Sequence, residues 1–223
     1  MDIELSDNEG SVVDASSLAD LQRAWMNEKH APELLPYQHN LMDVYKQLIE
    51  QQEEHLAIEE THTLSDLAKL ALSLYVFEVD RIRFLLNDYH AIRISKIEKH
   101  WLLLSKQSSL TQNNQQWLNM NYIEQTFLLG YYELMMSHFK NNFLQYIDDE
   151  TMQDLDLNDE TLTVSYVKDI DLNQFVFVKP REDIGEWLVS GDGNTQDLQS
   201  GMLYLLNYFY IRSLVLEGRV DLI

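Results

Sequence analysis

Apolar positions recur at helical spacing once the polar start of the chain is passed. Leu18, Leu21 and Trp25 fall in phase, and Ser17 stands in the N-cap place with Asp20 three residues on. That pattern predicts a helix opening at Ser17 and closed by the turn that Pro32 and Pro36 bracket. From Tyr37 the stripe continues through Leu41, Val44 or Tyr45, Leu48 and Gln52, predicting a second helix. A third is predicted from near Thr63 to about Leu104, a stretch without Gly or Pro; at the α-helical rise it would run roughly 60 Å. A fourth is predicted over 115–146, with Met120, Ile123, Phe127, Tyr131, Leu134 and His138 in phase and further aromatics on its other sides. A helix apolar nearly all round must be covered, and His138 on that stripe is expected to be a hydrogen-bonded core residue.

The pattern changes after a run of acids, Asp148, Asp149, Glu150, Asp154, Asp156, Asp159 and Glu160, that holds no basic residue and marks a solvated linker. Beyond it come short β-rich runs at 163–167 and 175–178, with Pro180 stopping the second and Gly191, Asp192 and Gly193 supplying turn chemistry. Residues 203–217 predict a helix closed by Gly218 as C′, followed by Val220, Asp221, Leu222 and Ile223 as a last strand. The fold class that follows is mainly α: an N-terminal helical domain of about four helices, one or two of them very long, then a small C-terminal β-rich domain. The expected divisions are a disordered acidic tail at 1–16, the helical domain at 17–147, the linker at 148–162 and the β-rich domain at 163–223. Ending on Leu222 and Ile223 fits an edge strand inside that domain and an interface contact equally well.

Charge narrows the function. The 223 residues carry 37 acidic against 16 basic side chains, a formal net charge of -21. Such a chain repels phosphate backbones and anionic membranes unless its basic residues are segregated, so neither direct nucleic-acid binding nor membrane binding is expected. With no cysteine, disulfides and thiolate zinc sites are excluded, which fits a reducing compartment. The N-terminal residues lack the basic and apolar regions of a secretory signal. The longest apolar stretch, 202–216, contains Asn207 and Arg212 and falls short of the ~20 residues of a membrane span.

Catalytic signatures are missing: there is no nucleophile elbow, phosphate-gripping glycine loop or two-histidine zinc helix. Glu59 and His62 at i, i+3, with Gln52 and His55 one heptad earlier, suggest half of a di-iron bundle. Gln52 breaks that pattern, and a solvated helix end explains the segment better. His30, His39, His90 and His100 show no ligand spacing. No enzyme, metal or cofactor is expected. The more informative feature is basic. Arg81, Arg83, Arg93, Lys96 and Lys99 crowd the third helix, and Ile82, Leu86, Tyr89, Arg93 and Lys96 share one stripe. Arginine there suits bidentate pairing with acids of a partner. Pairing within the chain, such as Glu78 with Arg81, is the plainer reading and the one that the residues themselves favour.

Two segments carry a resemblance: LQRAWMNEKHAPELLPY at 21–37 and EVDRIRFLLNDYHAIRISKIEKH at 78–100. Trp25, Asn27, Glu28, Pro32, Glu33, Leu34 and Leu35 in the first are similar to the Sld-five subunit of GINS, the four-subunit eukaryotic replication complex. So are Glu78, Arg81, Ile82, Arg83, Phe84, Tyr89, Arg93, Lys96, Ile97, Glu98 and Lys99 in the second. The ending Gly218, Val220, Leu222 and Ile223 resembles the same family, while 101–171 is only weakly similar. The resemblance implies a nuclear, non-catalytic subunit of a heterotetramer with three other GINS subunits. That assembly joins the MCM hexamer and the cell-division-cycle protein forty-five in the replicative helicase. It also implies that Trp25, Arg81, Arg83, Tyr89, Arg93, Lys96, Phe127, Tyr131, Leu222 and Ile223 contribute to partner interfaces, and that Arg93→Ala weakens assembly more than the isolated helical domain. Budding-yeast members of the family dock a replisome hub through an acidic-apolar N-terminal peptide, which Asp2, Ile3, Glu4 and Leu5 match only loosely. The rival classes are a self-associating helical adaptor and a di-iron oxidase.

Overall fold

The computed structural model describes residues 15–59, 66–110, 115–147 and 169–223. Residues 1–14 of the expected tail, the acidic linker, His62 and the predicted strand at 163–167 lie outside the described residues, while Ala15 and Ser16, expected in the tail, belong to the first helix. The fold is mainly helical, with a small β-rich unit at the C-terminus, as the pattern of apolar positions implies.

Helix α1 spans Ala15–His30 and α2 spans His39–Glu59. Both pack on α3, Asp66–Lys99, a helix of 34 residues or about 51 Å. Leu21 of α1, Met42 and Tyr45 of α2, and Leu85, Leu86 and Tyr89 of α3 form one buried cluster. Tyr45 rather than Val44 faces inward; Val44 is 48% exposed. The first helix opens at Ala15, two residues ahead of the expected cap Ser17.

The long third and fourth helices are each interrupted. Helix α3 stops at Lys99, and α4 runs from Trp101 to Leu110. After the short α5, Gln115–Leu118, the chain turns and restarts as α6, Tyr122–Asn142. The restart has a local cause. Asn121 accepts the Glu124 backbone N–H at 2.7 Å, and Glu124 accepts the Asn121 backbone N–H at 3.0 Å. This reciprocal capping box satisfies donors that a helix start leaves open. A second cluster, Leu34, Ile97, Leu104, Met120 and Leu128, lies beneath these breaks. His138 departs from expectation, because it faces solvent and pairs with Asn142 one turn on.

In the C-terminal unit, β1 (Phe175–Pro180) is the middle strand of an antiparallel sheet between β4 (Tyr204–Asn207) and β5 (Val220–Leu222). A hairpin of β2 (Gly185–Leu188) and β3 (Thr195–Leu198) stands beside it, turned at Gly193, whose φ is 81°. The chain expected to be helical from 203 is strand until Asn207, whose side chain then caps α7, Tyr208–Leu216. Gly218 ends that helix as expected, with φ 72°. Its N–H reaches Val215 O, and the Arg219 N–H reaches Leu214 O, the paired bonds of a Schellman motif.

The two units share a core. Ala31 and Leu35, from the segment between α1 and α2, are buried with Val176, Val178, Tyr208, Ile211, Val220 and Leu222. The α1–α2 connection is thus the floor on which the sheet and α7 sit.

Candidate partner interface and the buried ionic cluster

Chemistry concentrates where α1, the α1–α2 connection, α3, α5 and α6 converge. The Arg93 side chain is fully buried, and all five of its N–H donors are matched. Nε and Nη2 hold Glu124 at 2.7 and 2.9 Å, Nη1 reaches Glu28 at 2.9 Å and Leu35 O at 2.7 Å, and Nη2 also reaches Asn119 O at 2.9 Å. Tyr37 and Tyr89 cover the guanidinium, with ring centroids 5.2 and 5.6 Å away. Burial alone would favour the neutral form, but the bond to Glu124 and the charge of Glu28 push the guanidinium above its ordinary value.

Lys96, one turn further along α3, donates to Glu28 Oε1 at 2.7 Å, to Glu33 O at 2.8 Å and to Glu28 O. Its burial outweighs these partners and lowers its pKa. Glu33 is buried too and ties the two units together. It accepts the Tyr208 hydroxyl at 2.9 Å, the Arg212 guanidinium through two nitrogens, and Gln116 Nε2 at 2.7 Å. Burial and the neighbouring Glu33 raise the Tyr208 hydroxyl far above the phenol range. Asn27 Oδ1 accepts the Leu222 backbone N–H at 2.7 Å, closing a position on edge strand β5 that would otherwise be open to another chain.

These positions sort the expected interface residues. Arg93, Tyr89 and Leu222 are buried inside the chain, and Lys96 is nearly so. Their contacts are internal, and each Arg93 N–H already has an acceptor within the chain. Trp25 is half-buried and donates to Asp88 at 2.6 Å. Phe127 and Tyr131 are half-buried, stacked at 5.8 Å beside Trp101. Arg81 is exposed, 3.7 Å from Glu78, as the spacing suggested. Arg83 bonds Asp80 at 3.0 Å and pairs with Glu53 of α2. Ile223 is exposed at the sheet edge.

What the chain does present outward is apolar. The first half of α3 exposes Leu67, Leu70, Leu74 and Phe77, and α6 exposes Tyr122, Ile123, Leu129 and Leu134. On the outer face of the sheet, Phe177 and Leu205 sit directly opposite each other, both exposed, beside Phe175. Large exposed apolar faces mark contact surfaces. Sequence reasoning passed over Gln116, Asn119, Asn121, Glu124 and Arg212. Only the Asn121 to Glu124 spacing ahead of an apolar run carried a legible signal.

No helix among the described residues is long and apolar enough to cross a membrane, and no group of three His, Cys, Asp or Glu among them is placed to hold a metal. An ionic core with apolar outer faces defines a protein built for association. A family model described as the GINS complex protein helical bundle domain matches residues 38–143. The model for the DNA replication complex GINS protein SLD5 C-terminus matches 171–223. Relatives named DNA replication complex GINS protein SLD5 are similar over most of the chain. That of Dictyostelium discoideum is 32% identical over 209 residues, covering 93% of this chain and 92% of the relative. That of Arabidopsis thaliana is 30% identical, covering 96% and 94%, and that of Homo sapiens 31%, covering 91% and 87%. The chain belongs to the SLD5 family of DNA replication complex GINS proteins.

Proposed function

We propose that this chain is a nuclear, non-catalytic subunit of a GINS heterotetramer. In this reading it holds three sister subunits and, through them, joins the MCM hexamer and the cell-division-cycle protein forty-five in the replicative helicase. The observation that carries the reading is the match of both family models, in order, to a chain whose α3, α6 and outer sheet face are apolar and exposed. Energy transduction falls to the motor, and this subunit supplies surfaces. Neither free nucleic acid nor membrane is a partner in this account, since a net charge of -21 opposes both.

The test is affinity purification of the tagged chain from nuclei in S phase, with quantitative mass spectrometry. Equimolar sister subunits accompanied by MCM subunits and the cell-division-cycle protein forty-five are expected. Recovery without sister subunits would sink the reading.

A further inference from the structure

A cavity of about 550 Å³ opens where the end of α1, the α3–α4 junction and the chain leading into β1 meet. On a chain with a net charge of -21, five basic side chains line it: Lys29 and His30 from α1, Lys96 and Lys99 from α3, and His100 from the turn that follows. All three Lys96 donors go inward to Glu28 and Glu33. The other four groups face the cavity without such a commitment. Lys29 and Lys99 are exposed, and among the described residues neither is in an ion pair; Lys29 rests over the Trp25 ring, 4.8 Å from its centre. His30 and His100 are half-buried. Burial and the neighbouring lysines lower both below the ordinary histidine value, so at neutral pH each ring is uncharged and presents one N–H donor.

The kind of cation narrows the ligand. Where this chain holds its own buried carboxylates in forks, at Glu124 and Glu33, it does so with Arg93 and Arg212, whose planar guanidinium matches a carboxylate. Among the described residues no arginine lines the cavity. Ammonium groups are point charges with rotatable donors, and with two ring N–H groups beside them they suit the tetrahedral oxygens of a phosphoryl group. Asp169 and Asp171 stand on the wall contributed by the chain leading into β1, where Asp171 accepts the Asn173 backbone N–H at 3.0 Å. These two carboxylates repel a second anionic group, which disfavours polyphosphates and nucleic-acid strands. We propose that the cavity binds the single phosphoryl group of a phosphate monoester, held by Lys29 and Lys99 with the ring N–H groups of His30 and His100. The ester is carried by a small metabolite or by a phosphorylated side chain of a partner. This site goes beyond the reading of the chain as an assembly subunit and does not depend on it.

The full chain, purified alone or with whatever subunits accompany it, is titrated by calorimetry at fixed ionic strength. The probes are inorganic phosphate, glucose 6-phosphate, a phosphoserine peptide, the same peptide with glutamate in place of phosphoserine, and a single-stranded oligonucleotide. Saturable binding of inorganic phosphate is expected, with one of the two esters binding more tightly and thereby naming the carrier. K29A/K99A should weaken that ester at least ~10-fold with the thermal midpoint unchanged, since neither lysine belongs to the buried ionic cluster. Asp169→Asn removes a repelling charge and should strengthen inorganic phosphate, a gain that misfolding cannot produce. Absence of saturable phosphate binding would overturn the site, as would undiminished binding in K29A/K99A or no gain in Asp169→Asn. Equal binding of the glutamate peptide, tighter binding of the oligonucleotide than of either ester, or esters no tighter than inorganic phosphate would overturn the monoester assignment.

Discussion

Arg93 grips Glu124 by two parallel bonds, Nε to Oε1 at 2.7 Å and Nη2 to Oε2 at 2.9 Å, and the same Oε2 accepts the Asn121 backbone N–H at 3.0 Å. One carboxylate therefore serves as both the anion of a buried ion pair and the returning half of a capping box. The arginine of α3 fixes where α6 begins, and through Glu28 and Leu35 O it also holds α1 and the connection on which the C-terminal unit rests.

Removing that arginine leaves Glu124 buried without its cation and Glu28 with Lys96 alone. Arg93→Met is expected to destabilise the chain by about 3–5 kcal/mol, the range for breaking a buried ion pair from one side. Adding Glu28→Gln and Glu124→Gln to the same variant should recover part of the loss. Urea titration followed by circular dichroism checks both. A loss in assembly alone, with the midpoint unmoved, would contradict the internal role.

Glu33 joins the units, so Glu33→Ala orphans the buried Tyr208 hydroxyl and removes the carboxylate that Arg212 and Gln116 hold. About 1–3 kcal/mol is expected for each buried group left unsatisfied. Tyr208→Phe, which removes only one donor to a carboxylate that keeps three others, should cost less than Glu33→Ala. Thermal unfolding of the two variants should rank them in that order.

Leu222 acts within the fold itself. Leu222 is buried and its N–H is held by Asn27. Leu222→Ala is expected to cost about 2–5 kcal/mol, and Asn27→Ala about 1–3 kcal/mol by leaving that N–H without an acceptor. Denaturant midpoints measure each. Ile223→Ala, at an exposed position, should leave the midpoint nearly unchanged.

Acidification should destabilise the chain through its histidines. Burial lowers the pKa of His90, with Lys46 adding to it; burial and then Lys29 and Lys96 lower His30, and burial and then Lys99 and Lys96 lower His100. Each binds its proton more readily when unfolded, so their stabilising effect is complete above about pH 6.5 and declines as pH falls below that toward the lowered folded values. Each contributes at most ~1.4 kcal/mol per pH unit in that window. Stability measured at stepped pH should fall below 6.5, and His90→Gln should flatten the slope.

Much of this architecture was legible in the apolar spacing because burial imposes it. The 3.6-residue stripe through Leu41, Tyr45 and Leu48 is the packed side of α2, and Gly218 after 203–217 signalled its helix end because only glycine enters a positive φ without strain. The breaks were hidden for a physical reason. Residues 115–146 stay apolar through the restart at Asn121, and a cap depends on hydrogen bonds that periodicity does not register. Arg93 shows the same limit in the site. Its position on the stripe was plain, but whether its acids come from this chain or another depended on Glu28, Glu124 and Asn119, separated from it by 65, 31 and 26 residues.

The central claim is that this chain folds around its own ionic core and assembles through its outer apolar faces with unlike partners. Co-expression with the three sister GINS subunits, followed by light scattering on the purified particle, tests it most directly. The account predicts a stable particle with one copy of each of the four chains. A homogeneous homo-oligomer that leaves the sister subunits behind would contradict it.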